Sequence, residues 1–262
     1  MPTNFKPGRR YPLVIQAYGF KDNLFLPSGF DTTAFAAQEL AASGMIVLQV
    51  GGPCPSTMPD EGPCHVSGYE AVVHKLAAQG LVDPNEVGII GFSRSGFHVM
   101  EAITSSSLHI KAASINDATM GTYSEAVLVG SYSLHTSIIG APPFGMGLQQ
   151  WLKHAPGFNL DKVTAAVMIT AHGQITLLGM WETYSVLHDL HKPVELVMLN
   201  MDNGPGTLPY EHVLTNPGFR LTSQGGSVDW FRFWLQGYED PSPAKAAQYR
   251  RWENLRKLQQ AE

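Results

Sequence analysis

Short runs of consecutive apolar residues punctuate the chain. They fall at 11–17, 45–50, 86–90, 109–115, 165–171 and 193–199. Each has the length of a strand, and most lack an apolar–polar alternation. That pattern predicts strands covered on both faces, as in a parallel sheet. Between them apolar positions recur every three or four residues. Phe35, Leu40 and the intervening alanines predict a first helix, with Asp31 as its N-cap and Gly44 as its stop. Ser67 and Glu70 are spaced as a capping box and predict a second helix, running to Gly80. Further helices are predicted over 97–103, 177–190 and 228–235, and a charged, solvated one over 244–258. Residues 51–66 are rich in Gly and Pro and read as loop. Residues 118–160 have weak periodicity. They are the expected place for a cap or substrate-pocket insertion, with Phe144, Met146 and Trp151 as candidate lining. Strands alternating with helices predict an α/β fold: a mostly parallel sheet with helices on both faces.

One junction carries chemistry. The strand at 86–90 runs into Gly91-Phe92-Ser93-Arg94-Ser95-Gly96, and a helix follows. A serine on a sharp strand-to-helix turn is the nucleophile elbow of the α/β-hydrolase fold. The turn lifts the Ser93 hydroxyl clear of the sheet, and the first N–H groups of the helix are free to face an oxyanion. The usual spacing is G-x-S-x-G. Here Ser95 stands at the second glycine position, and Gly96 is one further on.

Composition narrows the alternatives. A chain of 262 residues, 44% hydrophobic and 15% charged, suits a single catalytic domain spanning 1–262. A net charge of −5 without a basic run argues against nucleic acid. No stretch reaches the ~20 apolar residues of a membrane helix. The first ten residues hold no signal-like apolar region. The expected location is cytoplasmic for a complete chain, and periplasmic or secreted for a piece of an exported protein. Cys54 and Cys64 are either a disulfide or two free thiols. Cys64-His65 and His188-x-x-His191 both lack the further ligands of a metal site, so no metal or cofactor is expected.

A serine nucleophile needs a base and an orienting acid, in the chain order Ser, acid, His. His212, in the loop after the last strand, is the candidate base. Glu182 is the first carboxylate after the strand at 165–171 and is the preferred acid. Asp117, one strand earlier, is the alternative, and Asp202 is a third candidate.

These residues resemble the catalytic domain of the prolyl oligopeptidase (S9) serine peptidases. The similarity covers nearly the whole chain. It is carried by 11–20, by Gly80-Leu81-Val82-Asp83-Pro84-Asn85 leading into Gly88-Ile89-Ile90-Gly91-Phe92-Ser93, by Ala171-His172-Gly173, and by Lys192-Pro193-Val194-Glu195-Leu196. The elbow and residues 227–235 look most like a bacterial branch that includes lasso peptide isopeptidases. The resemblance implies an oxyanion hole made by the Tyr18 hydroxyl and the Arg94 backbone N–H. Two departures stand out. Thr176 occupies the position where the family usually has its aspartate, and the 262 residues hold no β-propeller of the kind the family usually carries ahead of its catalytic part. The expected function is hydrolysis of peptide or isopeptide bonds through an acyl-enzyme on Ser93. Alternatives are a carboxylesterase for small esters and a degenerate hydrolase used as a binding module.

Overall fold

A computed structural model describes residues 1–18, 20, 24–29, 31, 33–201 and 210–259. Six strands are formed among these residues: Tyr11–Ala17 (β1), Ile46–Val50 (β2), Val82–Ser93 (β3), Ile110–Ala118 (β4), Ala166–Ala171 (β5) and Val194–Met198 (β6). They pair in parallel in the order β2-β1-β3-β4-β5-β6. The order reverses between β1 and β3, the place where open α/β sheets present ligand crevices at the carboxyl ends of their strands.

The helices are Ala37–Ala42 (α1), Glu61–Ala78 (α2), Ser95–Ser105 (α3), Tyr123–Leu128 (α4), Tyr132–Ile139 (α5), Leu148–His154 (α6), Gln174–Asp189 (α7), Pro217–Gln236 (α8) and Ala246–Gln259 (α9). Alternate strand residues go to opposite faces. Leu13, Ile15, Val87, Ile89, Val167 and Ile169 pack with α2, α3 and α7. Val14, Ile90, Phe92, Ala166 and Met168 pack with α1, α8 and α9. Both faces are therefore dry, which is why these strands read as unbroken apolar runs.

Several sequence boundaries move. Helix α2 begins at Glu61, six residues ahead of Ser67, because Pro63 fits a first turn that needs no N–H there. Ser67 is interior, and its hydroxyl donates to Cys64 O at 2.9 Å. Glu70 does not close a capping box. It accepts from the Ser106 and Ser107 hydroxyls and ties α2 to the end of α3. Asp31 does not cap α1, whose N-cap is Ala36 in the left-handed region. Helix α9 is not simply a solvated face, since Tyr249 and Trp252 are buried against Trp230 and Phe233. Cys54 and Cys64 form a disulfide that joins the loop after β2 to the first turn of α2.

The segment between β4 and β5 holds α4, α5 and α6. Trp151 is buried there with Phe97, Ile138 and Ile139, and its indole N–H donates to Ala141 O. Phe144 and Met146 are exposed. None of the three lines the crevice described next.

Candidate active site

The elbow forms because three small residues let chain segments approach. Ser93 has φ 57°, a left-handed conformation that a non-glycine residue adopts only under constraint. A Cβ on Gly91 would lie 2.6 Å from Ser95 O, and one on Gly96 would lie 2.2 Å from the Ala118 Cβ. Ser95 is more than a small substitute for glycine. Its buried hydroxyl donates to Phe92 O at 2.8 Å and accepts from Phe92 N–H at 3.0 Å. It staples the strand end to the helix start around Ser93.

His212 meets this turn. Its Nε2 lies 2.8 Å from Ser93 Oγ, and its Nδ1 lies 2.6 Å from Asp117 Oδ2. A carboxylate only accepts, so Nδ1 carries a proton and Nε2 is left to accept from the serine hydroxyl. The Phe92 ring stacks on the imidazole at 4.7 Å between centroids. Asp117 reaches this place through an irregularity in β4. Phe92 pairs with Asn116 but Ser93 pairs with Ala118, so Asp117 is an extra residue, at φ 42°. Such a bulge re-aims a side chain.

Glu182 stands elsewhere. Helix α7 starts at Gln174, so Glu182 lies two turns in, and its Oε2 accepts the Ser124 N–H at 2.6 Å at the start of α4. This corrects the sequence preference for Glu182: the carboxylate behind His212 is that of Asp117. Thr176, at the position expected to hold an aspartate, accepts the His172 N–H and donates to Gly173 O. Asp202 lies outside the described residues.

Two residues that the sequence reading passed over complete the cluster. The Tyr210 hydroxyl donates to Asp117 Oδ2 at 3.0 Å. Burial, then the charge of Asp117 and the hydrogen bond to it, push the Tyr210 pKa up, so the hydroxyl keeps its proton. His172 is fully buried. Its Nδ1 faces both Glu211 O and His212 O at 3.1 Å, so this nitrogen donates and fixes the backbone that carries His212. Burial lowers the His172 pKa, outweighing the opposing charge of Asp117. His172 directly follows β5 in Ala171-His172-Gly173, the one sequence signal that pointed to it.

Tyr18 lies at the end of β1, whose Ala17 pairs with Gly91 of the elbow strand. Its ring packs edge-on to Phe35 at 5.8 Å. Burial, reinforced by the charge of Asp31, raises its pKa, so it too remains a hydroxyl. The Arg94 side chain turns away to Glu61, which it binds through Nε at 3.0 Å. Glu61 also binds His98 Nε2 at 2.8 Å and the Thr57 N–H. Burial opposes the Glu61 charge. The bonds from His98, Arg94 and Thr57, with the charge of Arg94, overcome it and bring its pKa down to about 2.

A crevice of about 320 Å³ opens beside Ser93. Asp117, His212, Glu125, Val129, Ile175 and Gly179 line it. Among the described residues, no group of three His, Cys, Asp or Glu is placed to hold a metal ion. No described helix is long and apolar enough to cross a membrane.

No protein-family model matches the chain. Its sequence is 26% identical, over 99% of its length, to lasso peptide isopeptidase AtxE2 of Asticcacaulis excentricus. The ligand-free structure of AtxE2 isopeptidase superposes with a TM-score of 0.77 at 25% identity, covering 98% of this chain and 40% of that one. A puromycin-hydrolysing peptidase of Mycobacterium tuberculosis superposes at 0.67 with 17% identity, covering 90% of this chain and 36% of the other. The chain has the α/β-hydrolase fold and is similar in sequence to a lasso peptide isopeptidase. It spans 38% of the length of the curated isopeptidase. An acylaminoacyl peptidase of Pyrococcus horikoshii shares the same fold, with a TM-score of 0.66 at 17% identity over 93% of this chain and 40% of that one.

Proposed function

We propose that the chain is the catalytic part of a serine hydrolase that cleaves peptide or isopeptide bonds through an acyl-enzyme on Ser93. The observation that carries this is the unbroken hydrogen-bond line from Ser93 Oγ through His212 to Asp117. The similarity to an isopeptidase supports the bond class. In this reading Ser93 is the nucleophile, His212 the base and Asp117 the orienting acid.

Ser93 Oγ attacks the carbonyl carbon as its proton passes to His212 Nε2. Asp117 holds the imidazolium that results. Oxyanion charge falls to the Tyr18 hydroxyl and the Arg94 N–H. His212 then gives the proton to the leaving nitrogen as the C–N bond breaks. An acyl-serine ester and a free amine remain. Water, deprotonated by the same histidine, attacks the ester and releases the acid.

The test is labelling by a fluorophosphonate together with turnover of a peptide amide and of p-nitrophenyl acetate. Wild type should be labelled, Ser93→Ala should not, and amide turnover should fall by roughly 10⁴-fold or more in that variant. A folded wild type that resists the probe would overturn the reading in favour of a binding module. Ester turnover without any amide turnover would replace the peptidase reading with the esterase one.

A further inference from the structure

The crevice beside Ser93 has a charged wall that the hydrolytic steps leave unused. Glu125 sits in α4 with only 8% of its side chain exposed. Its Oε2 accepts the Met120 N–H at 2.7 Å and the Gly121 N–H at 3.2 Å, and faces His135 Nε2 at 3.1 Å. His135 is wholly buried, and its Nδ1 donates to Ser131 O at 3.0 Å. These partners fix the carboxylate in place, and all of them gather on one oxygen. Among the described residues no donor reaches Oε1, and that oxygen is not sealed from solvent. Glu125 lines the crevice, so Oε1 is the oxygen with lone pairs to spare for an occupant.

The walls around it suit a long side chain. Val129 and Ile175 are apolar, and Gly179 leaves room: a Cβ there would lie 3.5 Å from the Glu125 Cγ. The described lining contains the carboxylates of Asp117 and Glu125 and neither lysine nor arginine. Asp117 is engaged by His212 and Tyr210. Glu125 is therefore the lining carboxylate with an oxygen free to accept. A methylene stem along the apolar walls with a cation at its tip matches this arrangement, because lysine and arginine bury their stems and carry their charge at the end.

We propose that Glu125 is a specificity-determining residue and that the crevice takes a basic side chain, lysine or arginine, from the residue whose carbonyl reacts with Ser93. The inference rests on the hydrolase reading of the same site.

The experiment measures kcat/KM for matched peptide amides whose acyl residue is Lys, Arg, norleucine or Glu, on wild type and Glu125→Gln. Fluorophosphonate labelling is followed in the same preparations. Wild type should prefer Lys and Arg over norleucine by at least roughly tenfold. Glu125→Gln should remove most of that preference, read as the ratio of the Lys or Arg rate to the norleucine rate within one preparation. Equal rates for Lys and norleucine in a wild type that labels normally would overturn the inference and spare the hydrolase reading. So would a Glu125→Gln variant that loses all substrates alike. A wild type that does not label removes both. Because Glu125 also holds Met120 and Gly121, a second measurement uses no substitution. Benzamidine, a small cation shaped like an arginine tip, should slow labelling of wild-type Ser93, and neutral benzamide should not. Equal effects of the two would again overturn the inference.

Discussion

Asp117 owes its position to a single extra residue in β4. Without it the carboxylate would follow the alternation of the strand and would not reach His212. Replacing Asp117 with Asn keeps the shape and removes the charge that holds the imidazole in its useful tautomer. The expected result is a loss of about 10⁴-fold in kcat with the thermal midpoint little changed. Glu182→Gln should leave kcat within about threefold, and should lower stability by roughly 1 kcal/mol or less through the weakened bond to the start of α4. Amide turnover and thermal unfolding of the two variants distinguish them. Ser93 could be singled out in the sequence as a candidate because its glycines and its strand-turn-helix setting leave a local signature, and His212 because it lies in the loop after the last strand; the structure brings the two within 2.8 Å. The carboxylate beside His212 could not, since a bulge leaves no mark in Ile115-Asn116-Asp117-Ala118 and depends on the register with β3. Tyr210 left no local signal for a similar reason: its partner Asp117 is 93 residues away in sequence and only the fold joins them.

At the scale of elements, α2 and α3 meet through two carboxylates of opposite character. Glu61, at the head of α2, is held ionised with its pKa down at about 2. Glu101, in α3, lies against Gly62, and burial lifts its pKa to about 7. A lowered folded pKa contributes stability that is present above the unfolded value and is lost as pH falls towards 2. A raised one acts the other way: its contribution is full below about 4.5 and is lost as pH climbs through 7. The Glu61 contribution should therefore rise from pH 2 to about 4.5, and the Glu101 contribution should decline from there to about 8, against the rise up to about 6.5 that the lowered pKa values of His65 and His172 supply. Glu101→Gln should flatten the second limb, which spans roughly 3 kcal/mol at most. Urea unfolding of both proteins at pH 5 and pH 8 measures it. A wild type whose decline persists unchanged in the variant would show that another group is responsible. The sequence placed α2 and α9 only in part. A proline in a first turn looks like loop, and a charged helix hides the two aromatics, Tyr249 and Trp252, that dock it.

Across the whole molecule, the parallel sheet and its two helical layers were readable because unbroken apolar strands have one physical cause, burial on both faces. The order of the strands and the clustering of the site at their carboxyl ends follow from crossover rules. The disulfide was undecidable from spacing. It closes a loop of 10 residues at the head of α2, and its reduction should lower the stability of the protein by about 2–3 kcal/mol. Thermal unfolding with and without a reductant, against a Cys54→Ala and Cys64→Ala double variant, checks this. Equal midpoints in all three would count against it.

The left-handed backbone of Ser93 has a consequence for evolvability. The fold maintains a conformation that a side chain resists, and it does so at the residue proposed as the nucleophile. Ser93→Gly removes the nucleophile and the conflict together, and should be more stable than Ser93→Ala by about 1 kcal/mol. A lineage released from catalysis would drift towards glycine there.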